Sequence, residues 1–205
     1  SPTTPNRLSD GVLSCVQLAA DSINITLESL LNDTEVFVHG STVATNAVIE
    51  GRVAKTGLLC TQGTKYTLWR GEGRRNNVFD FTQPPSEPLI APRYCVELEE
   101  RINSDGEVLI PLDDESIISG IDALKRMECE AVAVALLWSI RNDSHEQRVA
   151  ELLKAHWPEA AVSISSQVQP VLREYTRTSC TVLNVMLKPV VEAYLGELEA
   201  ALKEK

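Results

Sequence analysis

The amino-acid sequence predicts an α/β fold, on three observations. Short apolar runs alternate with stretches whose apolar residues recur at helical spacing; no segment repeats; and 43% of the 205 residues are apolar, enough to build a substantial core. That core would serve one region over 1–205, with a possible subdivision into 1–112 and 113–205.

Element by element, Ser9 or Asp10 is placed to cap a helix with Val12, Val16 and Ala19/Ala20 on one face, and a shorter helix follows over 26–31. Val36-Phe37-Val38 reads as a strand ending at His39-Gly40. The polar turn Ser41-Thr42 then enters a helix ending near Gly51, and a strand runs from Val53 to Cys60. From Thr61 to Pro92 the pattern breaks into a surface excursion, with Arg70-Gly71-Glu72-Gly73-Arg74-Arg75 and then Pro84, Pro85, Pro88 and Pro92, which makes it a candidate substrate loop. Tyr94–Leu98 and Glu107–Ile110 flank Asn103-Ser104-Asp105-Gly106, whose turn chemistry predicts a β-ribbon.

Asp113 or Asp114 starts a helix carrying Ile117/Ile118, Ile121 and Leu124, and Ala131 to Trp138 reads as a strand buried on both faces. Asp143-Ser144-His145-Glu146 has the form of a capping box and opens a helix ending at His156-Trp157-Pro158. A short strand spans Val162–Ser165. The helical pattern from Thr178 to Lys203 contains Pro189, which predicts a kink or two abutting helices.

Charge and composition exclude several function classes. With 19 basic against 29 acidic residues the net charge is -10, which opposes the phosphate neutralisation that nucleic acid or an anionic membrane would demand. No apolar run approaches the roughly 20 residues that span a bilayer. Five scattered cysteines, without a Cys-x-x-Cys pair, read as reduced thiols, and with no leader-like segment at the start the expected location is cytoplasmic. The three histidines cannot assemble a zinc-type cluster at any ligand spacing, so no metal site is expected.

Three constellations have the composition of a site. His39-Gly40-Ser41-Thr42-Val43-Ala44-Thr45-Asn46 joins a buried run to a helix, and its amides and hydroxyls suit an anion; an N-cap with satisfied hydroxyls suits the same pattern. Arg173-Glu174-Tyr175-Thr176-Arg177-Thr178-Ser179 precedes the last helix. Its two guanidinium groups would fit a carboxylate or phosphate, and a solvated Glu174–Arg177 pair is the alternative. The Trp69-Arg70 to Arg75 loop carries glycines that would allow a ligand close to the backbone, or merely make it flexible.

Read in order, the segments resemble the N-terminal region of the hydantoinase A/5-oxoprolinase family. The carriers are Val38-His39-Gly40-Ser41-Thr42-Val43-Ala44-Thr45-Asn46-Ala47, Thr61-Gln62-Gly63, Glu99-Glu100-Arg101 with Asp105-Gly106-Glu107-Val108, His145-Glu146, and Arg173-Glu174-Tyr175-Thr176-Arg177-Thr178 with Asn184 and Pro189. The resemblance implies a fragment of an actin/hexokinase-like (ribonuclease H-like) ATPase subunit with a mixed sheet, flanking helices and a β-ribbon. The family's two glycine-rich phosphate loops match no segment here. The implied chemistry is ATP-dependent activation of a carbonyl by phosphorylation, ending in cyclic amide hydrolysis on 5-oxoproline or a hydantoin. Phosphorylation before carboxylation of a ketone such as acetone or acetophenone is the alternative, and a non-catalytic assembly module is another.

ATP and Mg2+ are implied for the complete enzyme and neither for this fragment alone, with a second subunit or domain of the hydantoinase B type as partner. Carried over by position, Arg177, Glu174 and His39 would be catalytic. Ser41, Thr42, Thr45, Asn46, Trp69, Arg70, Thr178 and Asn184 would border or bind substrate. Thr64-Lys65-Tyr66 and Trp69 depart from the ring-opening members, which bears on the substrate and not on the family.

Overall fold

A computed structural model describes residues 8–72, 82 and 87–203. Ser1-Pro2-Thr3, Gly73, Arg74, Arg75, Pro84 and Pro85 lie outside the described residues. In chain order the elements are helices α1 (Leu8–Ser22), α2 (Leu27–Asn32) and α3 (Val43–Ile49), strand β1 (Thr56–Thr61), helix α4 (Thr67–Arg70), strands β2 (Cys95–Leu98), β3 (Arg101–Ile102) and β4 (Val108–Ile110), helix α5 (Asp114–Arg126), strand β5 (Ala131–Ala135), helix α6 (Ser144–His156), strand β6 (Ala161–Ile164), and helices α7 (Ser165–Val168) and α8 (Glu174–Lys203). They form two compact units, residues 1–52 with 189–205, and residues 53–188.

The first unit is helical among its described residues. Thr26 caps α2 by accepting from Ser29 N. The expected strand at Val36-Phe37-Val38 does not form: the segment is extended but unpaired, with Val36 75% and Val38 88% exposed. Its apolar, β-branched character is real, yet a strand exists only where a neighbour takes its backbone groups.

The second unit carries a four-stranded sheet of order β2-β1-β5-β6, parallel throughout, so it joins strands from both sides of residue 112. Antiparallel pairing occurs in the ribbon, where β4 pairs with β3. The Tyr94–Leu98 run expected to form that ribbon is instead edge strand β2 of the main sheet, and the two-residue β3 takes its place. The ribbon turn docks on the loop before α6, where Asn142 Nδ2 donates to Gly106 O at 2.9 Å.

Strand β5 shows why the sheet is layered as it is. Val132 and Val134 face α5 and α6, packing with Ile117, Ile121, Leu124, Val149 and Leu153. Ala131, Ala133 and Ala135 face the other way, among Leu58, Cys60, Val182, Val185 and Met186, and their small size admits the first half of α8. Burial of each large aliphatic side chain contributes about 1.5–3 kcal/mol. Helix α5 starts where the sequence indicates, with Asp113 Oδ2 accepting from Ser116 N at 3.0 Å, acidic residues in the first turn and Lys125 and Arg126 in the last.

Three further expectations change. Strand β5 stops at Ala135, and Trp138 turns the chain with a left-handed φ of 58°. Asp143 makes no side-chain cap bond, and Glu146 points into the core instead of back to the helix start. Finally, of the two outcomes expected at Pro189, a kink or two abutting helices, the second does not occur: α8 is one helix with Pro189 inside it.

Candidate functional site

In an open parallel sheet, ligands bind beyond the carboxyl ends of the strands, at the point where successive connections leave in opposite directions. Here β2 lies on one side of β1 and β5 on the other, so that point falls beyond Thr61 and Ala135. A recess opens there, lined by Thr64, Thr67, Leu137, Glu174, Arg177 and Thr178, with Leu58, Cys60 and Ala135 at its base. Its cavity volume of about 10 Å³ accommodates one water and no larger ligand in this state.

Arg177 comes from the first turn of α8 and is 2% exposed. Its Nε donates to Ser165 Oγ at 3.1 Å, one terminal nitrogen to Val171 O at 3.3 Å and the other to Leu136 O at 2.9 Å. Ser165 Oγ donates in turn to Glu146 Oε1 at 2.6 Å, and Ser139 Oγ lies 3.1 Å from Ser165 Oγ. The fully buried Glu146 also accepts from Leu136 N at 2.9 Å and from Ser166 N at 2.8 Å. Burial lowers the Arg177 pKa from its ordinary value, and the nearby charges of Glu146 and Glu174 oppose that shift. Glu146, one serine removed, is the buried counter-charge, so the alternative of a solvated pair between Arg177 and Glu174 gives way to an internal network.

A second buried network lies beside the first. His145 Nδ1 stands 2.7 Å from Glu100 Oε2, Thr61 Oγ1 donates to Glu100 Oε1, and Leu137 N donates to Thr61 Oγ1 at 2.9 Å. Glu100 is 1% exposed and Thr61 fully buried. The Thr61 carbonyl also accepts from Thr64 Oγ1 at 2.6 Å, so one residue ties both walls of the recess. Cys60, at the base, is no nucleophile near neutral pH, because burial pushes its thiol up to about 12.

The residues singled out in the sequence fall into two groups. Glu174, Arg177 and Thr178 meet at the recess, and Thr178 makes no side-chain hydrogen bond to the described residues. Asn184 lies two turns along α8, exposed, and accepts from Ser163 Oγ at 2.7 Å. Trp69 and Arg70 sit on α4, exposed, with Trp69 edge-on to Tyr66 at 6.4 Å between ring centroids. In the first unit His39 Nε2 lies 2.5 Å from the Tyr194 hydroxyl, Val43 N donates to Ser41 Oγ at 3.2 Å, and Asn46 Nδ2 reaches Thr42 Oγ1 at 3.4 Å. Thr42 is the N-cap of α3 without a side-chain cap bond, and Thr45 is exposed within that helix.

Glu100, His145, Glu146 and Ser165 were missed as site-forming residues, although a signal was present. Glu100 alternates with the buried Leu98 and Ile102, and Glu146 falls three and seven residues before the buried Val149 and Leu153. Both carboxylates therefore occupy apolar phases of their elements, where a charge needs partners.

The model of the hydantoinase/oxoprolinase N-terminal region matches residues 1–157. Over its full length the chain is 35% identical to the caprolactamase subunit alpha of Pseudomonas jessenii and 31% identical to the acetophenone carboxylase gamma subunit of Aromatoleum aromaticum, covering 30% of each. Its fold matches the crystal structure of the ATP-dependent caprolactamase from Pseudomonas jessenii with a TM-score of 0.85, at 35% identity, over 100% of this chain and 30% of that one. This chain thus spans about a third of the length of these relatives, and its α/β architecture is in keeping with the actin/hexokinase-like expectation.

Proposed function

The chain belongs to the hydantoinase/oxoprolinase N-terminal region family, and on that premise we propose that it is part of an ATP-dependent enzyme subunit that opens a cyclic amide. The observation that carries this reading is the 35% identity, sustained over the whole chain, to a lactam-opening enzyme subunit. Phosphorylation of the amide oxygen would make an inert carbonyl open to attack. In this reading the recess beyond β1 and β5 borders the substrate site, and Thr178, which lines it, offers its hydroxyl to a carbonyl oxygen. Arg177 contributes by fixing the Leu136 carbonyl and the start of α8, since each of its three nitrogens already donates to a protein acceptor.

The nucleotide and metal are assigned elsewhere. Among the described residues no group of three or more His, Cys, Asp or Glu side chains is gathered to hold a metal ion. Both belong, in this proposal, to polypeptide outside this chain, as does a partner of the hydantoinase B type. All five cysteines are free thiols, which supports a reducing, cytoplasmic setting, and among the described residues no helix is long and apolar enough to cross a membrane.

A ketone carboxylase subunit is the second reading, favoured by the 31% identity to the acetophenone carboxylase gamma subunit. One assay separates the two. The full-length protein with its partner subunit is offered caprolactam, 5-oxoproline or hydantoin, and separately acetone or acetophenone with bicarbonate, while ATP consumption and organic product are followed. ATP use coupled to a ring-opened amino acid is expected. ATP use that requires a ketone and bicarbonate, with no ring opening, would overturn the amide reading.

A further inference from the structure

We propose that Glu100 and His145 are positioning residues for the carbonyl-activating reaction, acting through Thr61 to hold the Leu137 wall of the recess; this rests on the reading that the recess borders the substrate. The connection is continuous. His145 Nδ1 lies 2.7 Å from Glu100 Oε2 and the Thr61 hydroxyl donates to Oε1, which turns the Thr61 oxygen toward Leu137 N, 2.9 Å away. A hydroxyl has one proton. While the Thr61 hydroxyl donates that proton in a hydrogen bond to Glu100, its oxygen turns its lone pairs to the Leu137 amide, so the carboxylate sets the direction of the bond that holds the wall.

Three facts separate this network from an ordinary buried polar cluster. It lies at the carboxyl ends of β1, β2 and β5, the edge where an open parallel sheet binds ligands. It holds a stretch under strain: Trp138, next after Leu137, has φ 58°, a left-handed conformation that a bulky residue keeps only where the surroundings over-determine it. The surroundings do so from both sides. Leu136 is gripped through N by Glu146 and through O by Arg177, and Leu137 is gripped by Thr61. His145 and Glu146, adjacent at the start of α6, therefore serve the two neighbouring amides by separate routes: the His145 route ends on Leu137, which lines the recess, and the Glu146 route ends on Leu136 N and, through Ser165, on Arg177.

The test compares wild type with H145L and H145N in the full-length protein with its partner subunit. Leucine removes the donor to Glu100, whereas asparagine can place an N–H where Nδ1–H stood. Turnover is measured with whichever of caprolactam, 5-oxoproline, hydantoin or acetophenone plus bicarbonate the wild type consumes ATP on. Hydrogen exchange is measured over residues 134–141. H145L should lower kcat at least roughly tenfold with KM changed by less than about threefold, because a misplaced wall harms the transition state more than binding, and should speed exchange at Leu137. H145N should restore most of both.

Faster exchange in H145L with undiminished kcat would make the network structural only and overturn the proposal. So would unchanged exchange, or H145N as impaired as H145L. A wild type active on the ketone alone would sink the amide reading while leaving the kcat comparison intact. A wild type active on none of these substrates would remove the reaction that the two residues are proposed to position, and would overturn the inference together with the reading that it rests on.

Discussion

Arg177 shows how much a residue's role depends on which atoms its charge meets. In sequence, an arginine three residues after a glutamate invites either a ligand-binding fork or a surface pair. The fold buries it and gives its three nitrogens the Ser165 hydroxyl and the carbonyls of Val171 and Leu136, with Glu146 beyond the serine. A lysine at this position keeps the charge and reaches at most one or two of those acceptors. Arg177→Lys should therefore lose at least one bond from a charged donor, a cost of about 1.5–3 kcal/mol each. Urea denaturation would register this as a lower midpoint with an unchanged slope. A midpoint equal to that of wild type would mean that the guanidinium is solvated and the network does not form. Glu174, less buried and beside it at the recess, is the residue whose substitution should touch substrate handling more than stability.

Among the elements, those with their own periodicity were legible and those defined by a partner were not. Strands β1, β5 and β6 and helices α5, α6 and α8 follow from apolar runs, helical spacing and the Asp113 cap, all local properties. Strand β2 was legible as a strand but not as a neighbour of β1, since a parallel pair is joined by a long connection, here residues 62–94, and not by a local turn signal. The recess was half legible. Arg177 and Thr178 lie in a polar cluster before a helix, whereas Glu100 and Glu146 meet their partners only when four strand ends converge.

Packing between β1 and α5 yields a prediction at this scale. A Cβ added at Gly57 would stand 2.6 Å from Leu124 Cδ2 and 3.1 Å from Leu124 Cγ, and Leu124 is fully buried with no room to retreat. Gly57→Ala should thus destabilise the second unit by about 1–3 kcal/mol through overpacking. Leu124→Ala in the same chain would relieve the clash, so a double-mutant cycle on the thermal midpoint should show a favourable coupling between the two changes. Additive midpoints would show that β1 and α5 do not approach as closely as described.

For the whole molecule, the decisive proportion is that this chain spans about 30% of the relatives that it matches over its full length. Val36 and Val38 of the first unit are apolar, extended and exposed, with the composition of a strand but no strand beside them among the described residues. Backbone groups in such a run are normally taken by a neighbour, and we expect polypeptide beyond these 205 residues to take them. The nucleotide follows the same division. A triphosphate with its metal requires converging amides and an acidic ligand, which the proposed reading assigns to polypeptide that this chain does not include. The 205-residue chain alone should therefore give no saturable heat on titration with millimolar Mg-ATP, and no phosphate release, while its far-UV dichroism reports an α/β fold. The complete polypeptide should bind Mg-ATP under the same conditions. A clear isotherm from the short chain would place a nucleotide site within residues 1–205, and the division of labour proposed between this chain and the remainder would have to be abandoned.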